Sequence, residues 1–132
     1  MNNIFDKIIN IINSSKTIGV IAHKNPDGDT VCSALSLVIA LCNDGKIAEL
    51  ICDDILDPKL SIVPKIELFN KRTLDEYDTV ISVDSSDISR LGNAAILLKR
   101  AKHTISFDHH KTHIKFTDVS YLEEKSSTCE II

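Results

Sequence analysis

The chain has 132 residues and a formal net charge of −4, with 43% hydrophobic and 26% charged residues. This length accommodates one domain with a hydrophobic core, and the acidic balance excludes a surface that is basic throughout, as in non-specific duplex binders. No stretch approaches the ~20 uninterrupted apolar residues of a membrane span, and the first dozen residues lack the order of a secretory signal. The sequence therefore predicts a single domain, residues 1–132, in a cytoplasmic protein without a membrane partner.

The four cysteines form neither a CxxC pair nor a framework of even spacing. Cys42 and Cys52 lie within or beside apolar segments, whereas Cys32 and Cys129 accompany polar motifs. This usage predicts reduced and mostly buried thiols rather than disulfides.

Apolar periodicity divides the first half of the chain into helices and buried strands. Residues 3–15, with isoleucines at helical spacing, predict an amphipathic helix, and residues 17–22 (TIGVIA) predict a buried strand. A strongly apolar helix is expected over 30–42 and another strand over 47–52. Residues 53–73 contain prolines and mixed periodicity, which indicate only a short helix and an irregular connection.

The second half repeats the alternation. Residues 79–83 (TVISV) and 103–107 (HTISF) predict strands, and residues 88–101 between them predict a helix. Ser127 and Glu130 fit a capping box, which predicts the start of one more helix. The alternating order favours an α/β fold, a three-layer doubly wound parallel sheet.

The segment HKNPDGD, residues 23–29, carries the first set of candidate ligands. His23 closes a predicted strand, and Asp27 and Asp29 lie in the turn before an apolar helix. The turn can aim both carboxylates toward the imidazole, and the N–H groups of the following helix face the same crevice, which suits cations and phosphate together. The alternative is that both aspartates merely cap the helix and His23 is an ordinary residue at a strand end.

The second motif is Asp84, which again lies where a buried strand meets a turn. Ligands of open α/β sheets gather beyond the carboxyl ends of the strands, and this favours a binding role for Asp84. By itself, however, a carboxylate at this position also fits a turn or a cap. Asp87 fits the N-cap of the helix that begins near residue 88, and a structural role is expected for it.

Asp108, His109 and His110 form the third motif, a carboxylate beside two imidazoles at the end of a strand. Histidines mixed with carboxylates favour Mn²⁺, with Mg²⁺ as the alternative, over a structural zinc site, for which cysteines would be expected. His103 and His113 flank the motif as isolated polar residues, and both are predicted to face solvent.

Together these motifs resemble the DHH phosphoesterase superfamily. Within it, the segments HKNPDGDTVCSALSL, VDSSDISRLG, FDHHKTH and SSTCEII are most similar to the bacterial oligoribonucleases and pAp-phosphatases, the nanoRNases. The resemblance implies that His23 and Asp27 hold one Mn²⁺, that Asp29 and His109 hold the other, and that Asp84 bridges them. Two such cations ~3.5–4 Å apart activate the attacking water as hydroxide and neutralise charge on phosphorus.

The resemblance also implies a set of residues that act on the substrate. His110 would contact the scissile phosphate, with Asp108 supporting it as the other catalytic residue. Asn25 and Ser33 would contribute to substrate binding.

The chain departs from this branch at two positions, with Cys32 where a glycine is usual and His113 where an asparagine is usual. The altered residue at 113 puts a substrate contact in doubt. The superfamily's fourth motif, an aspartate that completes the second metal site, and its C-terminal substrate-holding domain have no counterpart in the 132 residues. The expectation is therefore an N-terminal catalytic portion that binds metal weakly and is essentially inactive by itself.

The sequence thus predicts a Mn²⁺-dependent phosphodiesterase for very short RNA, with 3′-phosphoadenosine 5′-phosphate as a second substrate. Its expected partners are short oligoribonucleotides or nucleoside phosphates, and a homodimer is the alternative to a monomer. Rival activities within the superfamily are those of cyclic-dinucleotide phosphodiesterases and single-strand exonucleases; Gly28 disfavours the manganese pyrophosphatases. A non-catalytic nucleotide-binding or interaction module is the alternative of a different class.

Overall fold

Five parallel strands form one sheet in the computed structural model, which describes residues 2–132. The strands are β1 (Thr17–Ala22), β2 (Ile47–Cys52), β3 (Thr79–Val83), β4 (His103–Asp108) and β5 (Val119–Leu122). Their order across the sheet is β2-β1-β3-β4-β5, with every neighbouring pair parallel. The first four strands are those that the sequence predicts, with β4 one residue longer.

Helices cover both faces of the sheet and complete three layers. The four α-helices are α1 (Asn2–Ser14), α2 (Gly28–Asn43), α3 (Ile96–Arg100) and α4 (Thr128–Ile131). One face packs against α1 and α2, and the other packs against α3 and the 3₁₀ segment that precedes it. The predicted α/β class and doubly wound parallel architecture are confirmed.

Side chains of the central strands point alternately into two separate apolar cores, one on each face of the sheet. Val20, Ile81 and Ile105 lie on the face that α1 and α2 cover. Ile21 and Val80 point the other way and pack among leucines 91, 97 and 98. Because both faces of β1 and β3 are buried, these strands read as continuous β-branched runs rather than as alternating patterns.

The predicted helix over residues 88–101 is wrong in its first half. Residues Ile88–Ala95 form a 3₁₀ segment, capped by Asp87 as expected, and Gly92 interrupts it with φ +60°. A Cβ on Gly92 would overlap the carboxylate of Asp53, which accepts a hydrogen bond from the N–H of Asn93 at 2.7 Å. The chain bends at the glycine so that this carboxylate can approach the backbone.

Three further findings refine the predictions. The connection over 53–73 contains the short 3₁₀ segments Pro58–Ile62 and Ile66–Leu68, and β5 is a strand that the sequence pattern did not indicate. All four cysteines are free thiols, as predicted, but the prediction that most of them are buried is wrong. Cys52 is buried and Cys32 is half-buried, whereas Cys42 and Cys129 are exposed at the end of α2 and in the short α4. Among the described residues, no helix has the length and apolarity needed to cross a bilayer.

Candidate metal centre

The three motifs meet because β1, β3 and β4 are adjacent in the sheet. Each motif begins at the carboxyl end of one of these parallel strands, so all three lie along the same edge. Residues far apart in sequence thereby face one crevice, at the edge where ligands of open α/β sheets bind.

His23 presents one defined nitrogen to this crevice. Its side chain is 2% exposed, and its Nδ1–H donates to the carbonyl of Lys24 at 2.6 Å. Because a carbonyl can only accept, this bond leaves Nε2 as the free nitrogen, 3.6 Å from Oδ2 of Asp84. Burial lowers the pKa of His23, but the Asp84 carboxylate and the Lys24 carbonyl raise it by more, so the net pKa lies above its ordinary value.

Asp84 lies between two histidines and is buried. Its Oδ2 faces His23, and its Oδ1 lies 3.0 Å from Nε2 of His109. The hydroxyl of Thr128 also donates to Oδ1, at 3.1 Å. The backbone of Asp84 adopts φ +61°, a conformation that is uncommon for residues other than glycine and that clusters at functional sites.

Asp27 and Asp29 reach the crevice from the first turn of α2. Asp27 caps this helix by accepting from the N–H of Thr30 at 2.9 Å, as the structural alternative predicts. Capping does not remove it from the site, because ligand atoms of His23, Asp27 and Asp84 all lie within 4.8 Å of one another. Oδ2 of Asp29 lies 3.4 Å from Nε2 of His109.

Asp29 also contacts the beginning of α4. The N–H of Thr128 donates to its Oδ2 at 3.2 Å, and the N–H of Cys129 donates to its Oδ1 at 2.8 Å. The sequence pattern did not assign Thr128 to the site, although it is fully buried there. Its position as the first residue after the predicted Ser127 cap was the one available signal.

Asp108 is fully buried and accepts hydrogen bonds from two imidazoles. Nδ1–H of His110 donates to Oδ1 at 2.6 Å, and Nδ1–H of His113 donates to Oδ2 at 2.8 Å. The prediction that His113 faces solvent is wrong, because this bond holds the side chain in the interior, with 2% exposure. His103 is exposed, as predicted.

The two other residues predicted to bind substrate lie beside the site in different settings. Asn25 is exposed in the loop after β1, with φ +52°, and its N–H donates to Oδ2 of Asp54 at 2.8 Å. Ser33 is fully buried, and its hydroxyl donates to the carbonyl of Asp29 at 2.6 Å and lies 3.4 Å from Oδ1 of the same residue, so it supports this candidate ligand from within α2. Contact with a substrate stays a prediction for both.

The donor set fits two hard or borderline divalent cations. Carboxylates and imidazoles converge on both sides of Asp84, and 3.6 Å between His23 and Asp84 is too long for a hydrogen bond, as expected of two groups that can face one ion. Asp108 also lies within reach of this cluster, but the histidines occupy both of its oxygens. A supporting role therefore suits Asp108 better than direct ligation.

Comparisons with known proteins bear on the family and the fold of the chain. A family model described as "DHH family, N-terminal domain" matches residues 17–132. An exopolyphosphatase-related protein from Bacteroides fragilis has a similar structure, with a TM-score of 0.89 and 20% sequence identity. The match covers 99% of this chain and 42% of that protein, so the chain spans less than half of its length. Through the family match over most of its residues, the chain belongs to the DHH family.

Proposed function

We propose that the chain supplies the dinuclear centre of a Mn²⁺-dependent phosphodiesterase that hydrolyses very short RNA, with 3′-phosphoadenosine 5′-phosphate as a second substrate. The observation that carries this proposal is the position of Asp84, whose two carboxylate oxygens face different histidines. A carboxylate shared in this way can bridge two cations and screen their charges from each other.

The surrounding residues divide into two ligand sets. His23 and Asp27 would complete one metal position, and Asp29 and His109 would complete the other. When bound, two divalent cations promote deprotonation of a water and offset the charge that develops on phosphorus. The carboxylate of Asp29 at the second position already accepts the N–H groups of Thr128 and Cys129, so we expect the ion at that position to be held more weakly.

His110 would bind the scissile phosphate. Asp108 holds its Nδ1–H, and the side chain is 34% exposed, so Nε2 is available to a substrate at the crevice. An imidazole oriented by a carboxylate is suited to hold or donate a proton at a fixed point next to a phosphate oxygen.

A cleft beside the metal centre suits a nucleoside better than a chain of phosphates. It encloses about 290 Å³, near the lower end of ligand-binding pockets, and is lined by Asn25, Pro26 and the segment 54–58. This segment contributes apolar surface from Ile55, Leu56 and Pro58, which a base can contact. Asp54 and Asp57 would repel additional phosphates.

Mn²⁺ titration of the chain, followed by electron paramagnetic resonance, tests the dinuclear centre. We expect two ions with unequal affinities and a spin-coupled signal at full loading, because a shared carboxylate brings them together. Asp84→Asn should abolish the coupled signal, and the exposed His103→Asn should leave it unchanged. A single uncoupled ion in the parent chain would contradict the dinuclear proposal.

Hydrolysis is tested with the chain in excess over a labelled dinucleotide, so that slow turnover is detectable. We expect cleavage that requires Mn²⁺ and that Asp84→Asn lowers by at least ~100-fold, since the neutral amide cannot screen two cations. If this variant still cleaved the dinucleotide at a rate within tenfold of that of the parent chain, the proposed role of Asp84 would be contradicted.

Parallel assays should use a cyclic dinucleotide, single-stranded DNA, inorganic polyphosphate and 3′-phosphoadenosine 5′-phosphate. If one of the first three compounds is cleaved faster than the dinucleotide, that compound defines the substrate class in place of short RNA. Binding of the dinucleotide and of Mn²⁺ without any cleavage would instead support a non-catalytic binding module.

A further inference from the structure

His113 and His110 are attached to the same buried carboxylate through equivalent nitrogens. Each ring donates its Nδ1–H to a different oxygen of Asp108, at 2.8 and 2.6 Å. Among residues 2–132, no other group donates a hydrogen bond to this carboxylate. The orientation of Asp108, and with it that of His110, therefore depends on both imidazoles.

The surroundings of His113 hold its ring in place. The ring stacks on Phe116 with 5.7 Å between centroids. The N–H of His113 donates to the carbonyl of His110 at 3.3 Å, and the N–H of Ile114 donates to the carbonyl of Ser86 at 2.7 Å. The turn that carries His113 is thus tied at both ends, and its side chain is almost fully buried.

The burial of His113 also restricts its tautomer. Within residues 2–132, Nε2 is buried and has no hydrogen-bond partner. A ring that carries its hydrogen on Nδ1 alone places only a lone pair at that buried atom, whereas a hydrogen on Nε2 would be an unsatisfied donor. The arrangement therefore favours the tautomer in which Nδ1–H donates to Asp108.

A fully buried carboxylate is stable only when donors satisfy it. Without His113, Oδ2 of Asp108 would lack its donor, and the carboxylate could rotate. Rotation would alter the bond to Nδ1 of His110 and release the ring from its present tautomer.

We propose that His113 is a positioning residue: through Asp108 it fixes the ring orientation and tautomer of His110 and does not touch the substrate. The effect on catalysis rests on the proposed function, in which His110 binds the scissile phosphate. The effect on the His110 ring does not depend on any activity.

The matched variants are His113→Asn and His113→Leu. The two new side chains have almost the same shape, but asparagine carries an N–H donor close to the position of Nδ1, and leucine carries none. Long-range ¹H–¹⁵N spectra of the imidazoles report the tautomer of each ring directly. His103→Leu serves as a control at an exposed histidine.

In the parent chain we expect both His110 and His113 to be protonated at Nδ1. His113→Leu should shift the His110 nitrogens toward an average of two tautomers, and His113→Asn should restore the parent pattern. With the chain in excess over the dinucleotide, as above, the maximal single-turnover rate should fall ~10–100-fold in the leucine variant, and the chain concentration that gives half of that rate should change by less than about threefold. Asparagine should recover most of the lost rate.

An unchanged His110 spectrum in a folded His113→Leu variant would overturn the proposal. Should leucine prevent folding, two other results decide: Nε2 protonation of His113 in the parent, or a disturbed His110 in folded His113→Asn, would also overturn it. Failure of the parent to hydrolyse any substrate would contradict the proposed function and leave the spectroscopic result standing.

Discussion

Asp84 combines a left-handed backbone and a buried carboxylate at one position. Both features cost stability in the metal-free chain, since the conformation is uncommon for aspartate and the charge is removed from water. Such costs are expected where a candidate metal ligand projects from the end of a central strand. Residues of this kind often trade stability for function.

Asp84→Asn should therefore stabilise the metal-free chain by ~1 kcal/mol at pH 8, because asparagine tolerates the left-handed region and carries no buried charge. With excess Mn²⁺ the order should reverse, since binding stabilises only a chain that retains the ligand. Thermal unfolding in EDTA measures the stability of the metal-free chain, and thermal unfolding in excess Mn²⁺ measures the effect of metal binding. The exposed Glu76→Gln is the control, and equal melting temperatures of parent and Asp84→Asn in Mn²⁺ would contradict the argument.

At the scale of elements, local patterns predicted the strands more reliably than the segments between them. The strands β1, β2 and β3 are rich in apolar residues, and their predicted bounds agree with the structure. The edge strand β5 has four residues and incomplete burial, so its sequence carries little periodic signal. The bend at Gly92 depends on Asp53, a contact that is remote in sequence and that no helical pattern contains.

Two glycines with positive φ allow this bend to be tested. Gly92→Ala should destabilise the chain by about 2–4 kcal/mol, because the new Cβ combines an unfavourable conformation with overlap on Asp53. Gly45→Ala, at φ +84° with open space around it, should cost only ~1–2 kcal/mol. Urea unfolding measures both variants. If both variants lose the same free energy of unfolding, the overlap with Asp53 is relieved without cost and the prediction is contradicted.

At the scale of the whole molecule, the sequence predicted which residues gather but not how they are supported. The convergence of the candidate ligands followed from the placement of the motifs at strand ends. The contacts of Thr128 with Asp84 and of His113 with Asp108 did not, because each depends on how a loop or helix returns to the sheet. Supporting contacts of this kind require the assembled fold before they can be recognised.

In acid, the chain should lose the stabilisation that the carboxylate of Glu49 provides. Its carboxylate accepts hydrogen bonds from Thr73, Leu74 and Tyr77, which tie the segment before β3 to β2. Burial raises the pKa of Glu49, but these donors lower it by more, so the folded pKa lies below the ordinary 4.5. The resulting stabilisation is complete above pH 4.5 and is lost as the pH falls through the folded pKa.

Glu49→Gln should remove this part of the pH dependence and cost ~1–3 kcal/mol at pH 7, because a neutral amide accepts fewer and weaker bonds. Urea unfolding of parent and variant between pH 3 and pH 7 measures both effects. Glu76→Gln is again the control, since that side chain is exposed. If the free energy of unfolding falls with the same slope in acid for the parent and for Glu49→Gln, the assignment of this pH dependence to Glu49 is contradicted.

The strand order also determines when the metal centre can exist during biosynthesis. β3 lies between β1 and β4, so the ligands at residues 23 and 109 become neighbours only after the intervening strand has paired on both sides. Parallel pairing across such sequence distances closes long loops and is slow compared with helix formation. A nascent chain that has emerged as far as residue 84 holds His23, Asp27 and Asp84, the candidate ligands of the first position, but not His109. A first cation can therefore assist the pairing of β3 with β1, whereas the second position forms only once β4 has joined the sheet.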